Sequence, residues 1–467
     1  MSVDYDLIIW GGSPAGTYAA VMAAQYGARV ALILPPESSH SYTVQDCLRL
    51  PLPLRSGQNG RYPMRDGEAL SYERLCQWVQ VGVETLALID SPAALEQLGV
   101  DLIYEGAEFE EKGGQISVAL RNRRLLSCAY LLAPATDPRV EIEGLASTGY
   151  LTPKSLASLQ SVPSCLAIIG SAPCGVELAH LFQELGSKVT LITENSRLLP
   201  QEEPEVSDLI QCQLEALGVE ILGETQVTQA RLIEDKTWLQ VGNRAIAFDK
   251  LLLVTPPALP FPAPTLELLG IDWTNQHLRV NNKLQTTNPK IYACGDILGG
   301  YSLPHISLYE AKLALKNALF LPFFTLDYQQ LPYTIYSKPT LARVGLTEAG
   351  ARRRYGDKVQ VIQEQLKMNP AAVLSGEVTG FIKVIVQPDG RILGATVLGT
   401  RAEEVIQSLS LAINHQIKVQ ALPDSPGVFG SVSQLLTRVG DRWQLQQFHQ
   451  SFWSQTFLKW WLSWKRG

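Results

Sequence analysis

Two stretches of this chain repeat each other, and the repeat limits the fold more than any other feature. Residues 168–193 (IIGSAPCGVELAHLFQELGSKVTLIT) align without a gap on residues 9–34 (IWGGSPAGTYAAVMAAQYGARVALIL) at a constant offset of 159. Gly11 meets Gly170, Pro14 meets Pro173, Gly16 meets Gly175 and Gly27 meets Gly186, while Val30, Leu32 and Ile33 meet Val189, Leu191 and Ile192. Each copy reads as a strand, a glycine turn, a helix and a second strand. Such a turn aims backbone N–H groups at an anion, which seats a dinucleotide pyrophosphate on the helix N-terminus. The first turn fits G-x-G-x-x-G at Gly11, Ser13 and Gly16, with Gly12, Pro14 and Ala15 between them. The second fits it at Gly170, Ala172 and Gly175, so neither copy has the middle glycine. In the second helix Leu178, Leu181, Phe182 and Leu185 recur at i, i+3, i+4 and i+7, one apolar face for a sheet. Two βαβ units predict an α/β chain with two Rossmann-like dinucleotide-binding domains.

Length and composition agree with a folded multidomain protein. At 467 residues the chain exceeds one ordinary core. Its 46% hydrophobic and 18% charged content is that of a globular protein. A net charge of −6 argues against a general nucleic-acid binder. Seven scattered cysteines, none in a CxxC pair, indicate neither a zinc ribbon nor a disulfide framework; no metal site is expected, and a reducing cytosol fits. The N-terminus runs straight into a strand, with no room for a signal peptide, and no apolar run is long enough to span a bilayer.

Between the repeats, residues 38–67 are rich in Pro, Gly, Ser and Arg, and a helical segment follows at Ser71–Leu88. Strand-like pieces lie at Leu102–Phe109, Ile116–Leu120 and Leu125–Leu132. After the second repeat come a helix at Glu205–Leu217 and strands near Val219–Leu222, Thr237–Val241 and Leu251–Val254, then a proline cluster, 256–264, that reads as a linker. From Tyr333 strands (Phe381–Val386, Ile392–Leu398) and a helix (Ala402–Ile413) predict a separate α+β domain.

A third anchor is the segment 286–296, TTNPKIYACGD. With the two glycine turns, Leu303–Asn317 (LPHISLYEAKLALKN) and the C-terminal stretches ARVGLTEAGA, GEVTGFIKVIV and GRILGATVLG, it resembles the pyridine nucleotide-disulfide oxidoreductase family, to about Arg442. The resemblance implies a discontinuous FAD-binding domain (1–150 and 270–332), an inserted NAD(P)-binding-like domain (151–269) and a C-terminal α+β dimerisation domain (333–442) that makes a homodimer. It assigns Gly11, Gly12, Ser13, Pro14, Ala15, Gly16, Gly295 and Asp296 to FAD. Gly170, Ala172, Gly175, Thr193, Glu194 and Arg197 fall to NAD(P). A carboxylate at Asp296, after a glycine at a strand's C-terminal end, can accept hydrogen bonds from sugar-chain hydroxyls, each contributing roughly 1.5–3 kcal/mol.

The departures from the family pattern bear on chemistry. Where the family ends its second strand with a ribose-binding acid, this chain has Leu34, and losing two such bonds costs about 3 kcal/mol, or roughly a hundredfold in affinity. In the NAD(P) half Thr193 stands there and offers one hydrogen bond, Glu194 alternates to the opposite face, and the methyl of Ala172 crowds the pyrophosphate. The family's redox disulfide lies in a GGTCLNVGC-like segment, matched here by Ser39–Cys47 (SHSYTVQDC). Cys47 keeps the flavin-proximal sulfur, but Tyr42 replaces the exchanging thiol, and dithiol exchange needs both. Pro51 replaces a lysine whose carboxylate partner persists as Glu177. The family's His-Pro-x-x-x-Glu acid/base pair is SPGVFG here, with Ser425 for histidine and Gly430 for glutamate, neither of which exchanges protons near neutral pH.

These losses point to an FAD-dependent oxidoreductase without disulfide chemistry, taking electrons from NAD(P)H or a redox protein and passing them to a quinone, metal ion or protein. Cys47 is its candidate lone thiol and Glu177 a second catalytic candidate. The alternative is a catalytically silent FAD- or nucleotide-binding dimer acting as scaffold or sensor. Beyond the family's extent, residues 443–467 form an aromatic, basic tail, with Phe448, Phe452, Trp453, Phe457, Trp460 and Trp464 at helical spacing. Five basic residues from Arg438 onward against Asp441 alone suit a membrane surface, an acidic protein or the protein's own dimer, and make the chain cytoplasmic or peripheral to a membrane.

Overall fold

The structure is a computed structural model that describes residues 3–34, 72–87, 91–138, 140–256, 258–274, 276–300, 302–450 and 452–466. The chain divides into two compact units, Met1–Leu198 with Leu214–Leu326, and Leu199–Gln213 with Asp327–Gly467.

The first unit contains the repeat. Its first half is built on β1 (Tyr5–Trp10), α1 (Pro14–Gln25), β2 (Val30–Ile33), α2 (Tyr72–Ala87) and β3 (Val100–Ile103). An antiparallel sheet of β4 (Glu108–Lys112), β5 (Gln115–Ala119) and β6 (Arg124–Leu125) follows, then β7 (Ser127–Leu132). The strand-like piece expected at Leu102–Phe109 is thus two strands in two different sheets. With β15 (Ile291–Ala293), a parallel sheet forms in the order β15-β7-β1-β2-β3. Its strands are apolar on both faces because both are covered. Leu7, Ile9 and Leu32 pack with Ala15, Ala19 and Ala23 of α1 and with Ala311 and Leu315 of a later helix, α5 (Pro304–Leu319). Ile8, Ala31 and Ile33 pack on the other face with Phe109, Ile116 and Val118 of the small antiparallel sheet.

The second half repeats this plan with β8 (Cys165–Ile169), α3 (Pro173–Glu184) and β9 (Lys188–Ile192), so the two helices start exactly one repeat offset apart. Its parallel sheet has the order β10-β9-β8-β14, from β10 (Glu220–Leu222) and β14 (Lys250–Leu253). A second small antiparallel sheet joins β11 (Val227–Ile233), β12 (Lys236–Val241) and β13 (Arg244–Phe248). Leu178, Leu181 and Phe182 of α3 are buried, as their spacing predicts. Within the proline cluster Phe261 is buried and a short helix begins at Ala263, so this stretch is partly structured.

The second unit is an antiparallel sheet in the order β16-β17-β20-β19-β18, formed by β16 (Tyr333–Ile335), β17 (Leu341–Gly345), β18 (Gln360–Gln365), β19 (Phe381–Val386) and β20 (Ile392–Leu398). Ile382 and Val384 join a core with Val405, Ile406 and Leu409 of α7 (Ala402–Asn414) and with Leu435, Val439 and Trp443 of α8 (Gln434–Gln450). Lys383 alternates to the opposite face, where its buried ammonium lies 2.6 Å from Glu205, 2.7 Å from Glu348 and 3.6 Å from Glu203. Glu205 belongs to α4 (Pro204–Leu217) and Glu348 opens α6 (Glu348–Tyr355). Burial works to lower the Lys383 pKa, but hydrogen bonds to Glu205 and Glu348 raise it on balance. Burial pushes the Glu203 carboxyl up, although it accepts the Glu348 N–H at 2.7 Å. Beside this cluster Glu202 accepts from Arg343 Nε at 2.9 Å and from the Tyr333 hydroxyl at 2.5 Å.

The aromatic tail, expected as one helix, is divided. α8 ends at Gln450 with Trp443 in the core, and a separate α9 (Phe452–Lys465) follows. Among the described residues no helix is long and apolar enough to cross a membrane.

Candidate functional site

The first glycine turn lies at the C-terminal end of β1, where the strand order of the sheet reverses direction, the position at which open α/β sheets bind ligands. Gly11 has φ +113°, and a Cβ there would stand 2.4 Å from Pro134 Cα and 2.5 Å from the Ala133 carbonyl oxygen. A Cβ at Gly16 would stand 2.2 Å from the Gly11 carbonyl oxygen. Both positions are closed to any other residue, which is the steric reason for the repeat's two fixed glycines. Ser13, in extended conformation, is the N-cap of α1: its hydroxyl accepts from the Gly16 N–H at 3.2 Å and donates to the Ala133 carbonyl at 2.7 Å. The side chain at the missing middle glycine is therefore turned back into the turn. Gly12 and Ala15 are buried, Ala15 against the helix–sheet core, and Pro14 starts the helix.

The loop that receives Ser13 also reaches Asp296. Ala133–Thr136 follows β7, and Thr136 donates to Asp296 Oδ2 at 3.2 Å, while Ser302 donates to Oδ1 at 2.6 Å. Two hydroxyls thus orient one half-exposed carboxylate beside the strand ends. The preceding Gly295 N–H donates to the buried Glu310 carboxylate of α5 at 2.7 Å, which fixes the turn that presents Asp296. Burial pushes the Cys294 thiol well up, with Glu310 and Asp296 adding to the effect, so this cysteine is a packed, protonated residue. Leu34, at the position of the family's ribose-binding acid, is fully buried in the core with Leu32 and Leu7.

In the second half the backbone is the same and the side chains differ. Gly170 has φ +122°, and a Cβ there would meet the Val254 carbonyl oxygen at 2.6 Å, just as Gly11 meets the residues after β7. A Cβ at Gly175 would be 2.2 Å from the Gly170 carbonyl oxygen. Ala172 sits at the N-cap of α3 with no side-chain hydrogen bond. Thr193 is buried and its hydroxyl donates to Ser171 Oγ at 2.8 Å, and it accepts from the Asn195 N–H at 3.1 Å; Asn195 Nδ2 also donates to Ser171, at 3.2 Å. The hydroxyl expected to face a ribose is thus engaged within the protein. Glu194 and Arg197 are exposed beyond the strand end. Glu177 is buried in α3, one turn before His180, a buried histidine whose Nε2 lies 3.6 Å from Glu184 Oε1.

The structure thus brings Gly11–Gly16 and Asp296 together through the Ala133–Thr136 loop, and Gly170–Gly175 together with Thr193. Cys47, Tyr42 and Pro51 lie outside the described residues. Thr136, Ser302, Glu310, Ser171 and Asn195 escaped the sequence reading. Thr136 alone carried a local signal, as the polar residue ending the apolar run LLAPAT. Among the described residues no group of three or more His, Cys, Asp or Glu side chains is placed to hold a metal ion.

Comparison with known proteins extends this picture over most of the chain. The family model for pyridine nucleotide-disulphide oxidoreductase matches residues 5–311, and that for the dimerisation domain of the same group matches residues 331–433. A mercuric reductase from Staphylococcus aureus is 28% identical over 440 residues, covering 90% of this chain and 79% of the relative. A dihydrolipoyl dehydrogenase from Bacillus subtilis (strain 168) is 29% identical over 436 residues, covering 88% of this chain and 92% of the relative. Among solved structures, the Cu(II) complex of the HOCl-induced flavoprotein disulfide reductase RclA from Escherichia coli has a TM-score of 0.80 at 25% identity, covering 94% of this chain and 99% of that one.

Proposed function

Since the chain belongs to the pyridine nucleotide-disulphide oxidoreductase family, we propose that it is an FAD-dependent oxidoreductase that passes electrons to an acceptor other than a disulfide. The observation that carries the flavin assignment is Asp296, oriented by Thr136 and Ser302 and joined through one loop to the Gly11–Gly16 turn. A bound flavin would supply uptake of an electron pair and its release in one or two steps. The α1 N-terminus and the Gly11–Gly16 turn would hold its pyrophosphate, and the Asp296 carboxylate would accept hydrogen bonds from its sugar-chain hydroxyls. Leu34 leaves the adenosine ribose without a charged partner, so affinity rests on the other contacts.

The absence of Tyr42 and Gly430 from the thiol and acid classes supports a non-disulfide acceptor, because a single sulfur at Cys47 does not close a dithiol cycle. Cys47, the single cysteine in the segment matched to the family's disulfide, is then a candidate lone thiol for tuning the flavin's potential. Mercuric ion and Cu(II), named with two of the relatives, are the reason to assay metal ions first. The dimerisation-domain match over residues 331–433 supports a homodimer. The electron donor is NAD(P)H or a redox protein, and the engaged Thr193 hydroxyl with the Ala172 methyl favours the latter. The same two features favour the second reading, a silent nucleotide-binding dimer.

A visible spectrum separates these. Purified protein should be yellow, and anaerobic NADH or NADPH should bleach it. Bleaching by dithionite alone excludes NADH and NADPH and points to another donor. Protein that stays colourless after incubation with FAD overturns the flavoenzyme reading.

A further inference from the structure

The chemistry proposed above makes no use of α9, and its exposure is unusual. Phe457, Trp460, Trp461 and Trp464 are 62%, 60%, 39% and 64% exposed, although each carries a large apolar ring. They stand at i, i+3, i+4 and i+7, one stripe of the helix. Among the described residues the ring contacts of this helix join these rings to one another, with centroids 5.0 Å apart for Trp461 and Trp464 and 6.0 Å for Phe457 and Trp460. Gln455, Lys459, Ser463 and Arg466 recur at i, i+4, i+8 and i+11 and occupy the opposite side. No acid follows Asp441, so Lys459, Lys465 and Arg466 give this helix a positive charge in a chain of net charge −6.

We propose that α9 is a membrane-surface anchor whose aromatic stripe sits in the headgroup region of an anionic bilayer while its lysines and arginine meet the lipid phosphates. Three observations favour a bilayer over a protein partner. The stripe is dominated by indole rings, which prefer the boundary between hydrocarbon and water. Only Leu458 and Leu462 accompany it on this helix, with no isoleucine, too few for the repeating aliphatic seam through which helices dock on one another. Charge complementarity runs to a diffuse negative surface: Lys465, four residues after Trp461, flanks the ring stripe at headgroup level, and Lys459 and Arg466 add positive charge beyond it with no acid on the helix. Fourteen residues make a helix about 21 Å long, short of the roughly 30 Å hydrocarbon core, so it lies along the surface. The inference is independent of the redox reading and would hold for a silent relative.

The test is sedimentation of the full chain with vesicles of pure phosphatidylcholine and of equal parts phosphatidylcholine and phosphatidylglycerol. Full-length protein should pellet with the anionic vesicles and release in high salt. A chain ending at Gln450 should remain in the supernatant. The K459Q/K465Q/R466Q variant should lose about a hundredfold in partitioning to anionic vesicles, at roughly fivefold per basic residue. The W460S/W464S variant should lose binding with unchanged elution volume, since both rings are on the surface. Equal pelleting of full-length and shortened chains overturns the proposal, as does a full chain that stays soluble with both vesicles. Halving of the molecular mass on deletion of α9, with no vesicle binding by the full chain, assigns the helix to a second copy instead and also overturns it.

Discussion

At the first glycine turn Ser13 folds its hydroxyl onto the Gly16 N–H and the Ala133 carbonyl; at the second, Ala172 offers the same helix end only a methyl group. Beyond the first turn a carboxylate is held by two hydroxyls and left half-exposed, whereas beyond the second Ser171, Thr193 and Asn195 satisfy one another. The backbones superpose in plan, down to the glycine that abuts the residues after the next parallel strand. The difference teaches that the turn is a scaffold set by sterics, while the ligand is set by the polar groups each half leaves available.

The largest effect should test the shared part. G11A and G170A each add a methyl at a left-handed φ and within 2.6 Å of backbone, and each should destabilise the protein by about 3–5 kcal/mol. Urea midpoints measured side by side decide it, and tolerance at either site breaks the equivalence of the two turns. Next, D296A should weaken FAD binding by roughly a hundredfold, about 3 kcal/mol for two charged bonds, with no change in NAD(P)H affinity; a flavin fluorescence titration of the apoprotein reads it. A smaller, reciprocal pair exchanges the caps. S13A should cost about 1 kcal/mol, and A172S should recover a similar amount in the other half, both visible in thermal melts. Smallest, T193V should cost about 0.5–1 kcal/mol of stability and leave NAD(P)H affinity within about twofold, because its hydroxyl already serves Ser171. A large loss of affinity would return that hydroxyl to the ligand.

The repeat was legible in the sequence because Gly11, Gly16, Gly170 and Gly175 admit no substitute, so their spacing survives where other residues drift. Asp296 was legible for its position after a short buried strand and a glycine. What holds Asp296 was not, since Thr136 lies 160 positions away and Ser302 in an ordinary polar loop. β11 and β13 escaped because apolar residues also occupy their exposed positions, Leu232 and Ile233 in β11 and Ala245 in β13, so the apolar pattern does not alternate with burial. The break between α8 and α9 also escaped: Phe448 and Phe452 keep helical spacing across it, and periodicity is blind to a change of axis. Lys383 inside the run FIKVIV read simply as strand, because its carboxylate partners lie far off in the chain.

That lysine has a genetic consequence. Residues 199–213 are encoded between β9 and β10, yet they supply Glu203 and Glu205 to Lys383 and Glu202 to Arg343. A gene fragment opening at Asp327 would therefore encode a sheet with one buried ammonium stripped of two of its three carboxylates and a guanidinium stripped of its partner, a deficit on the order of 3–5 kcal/mol for each broken pair. The C-terminal unit is thus not an exchangeable cassette. Recombination or engineered fusion that moves it intact has to carry the short segment from the middle of the gene as well.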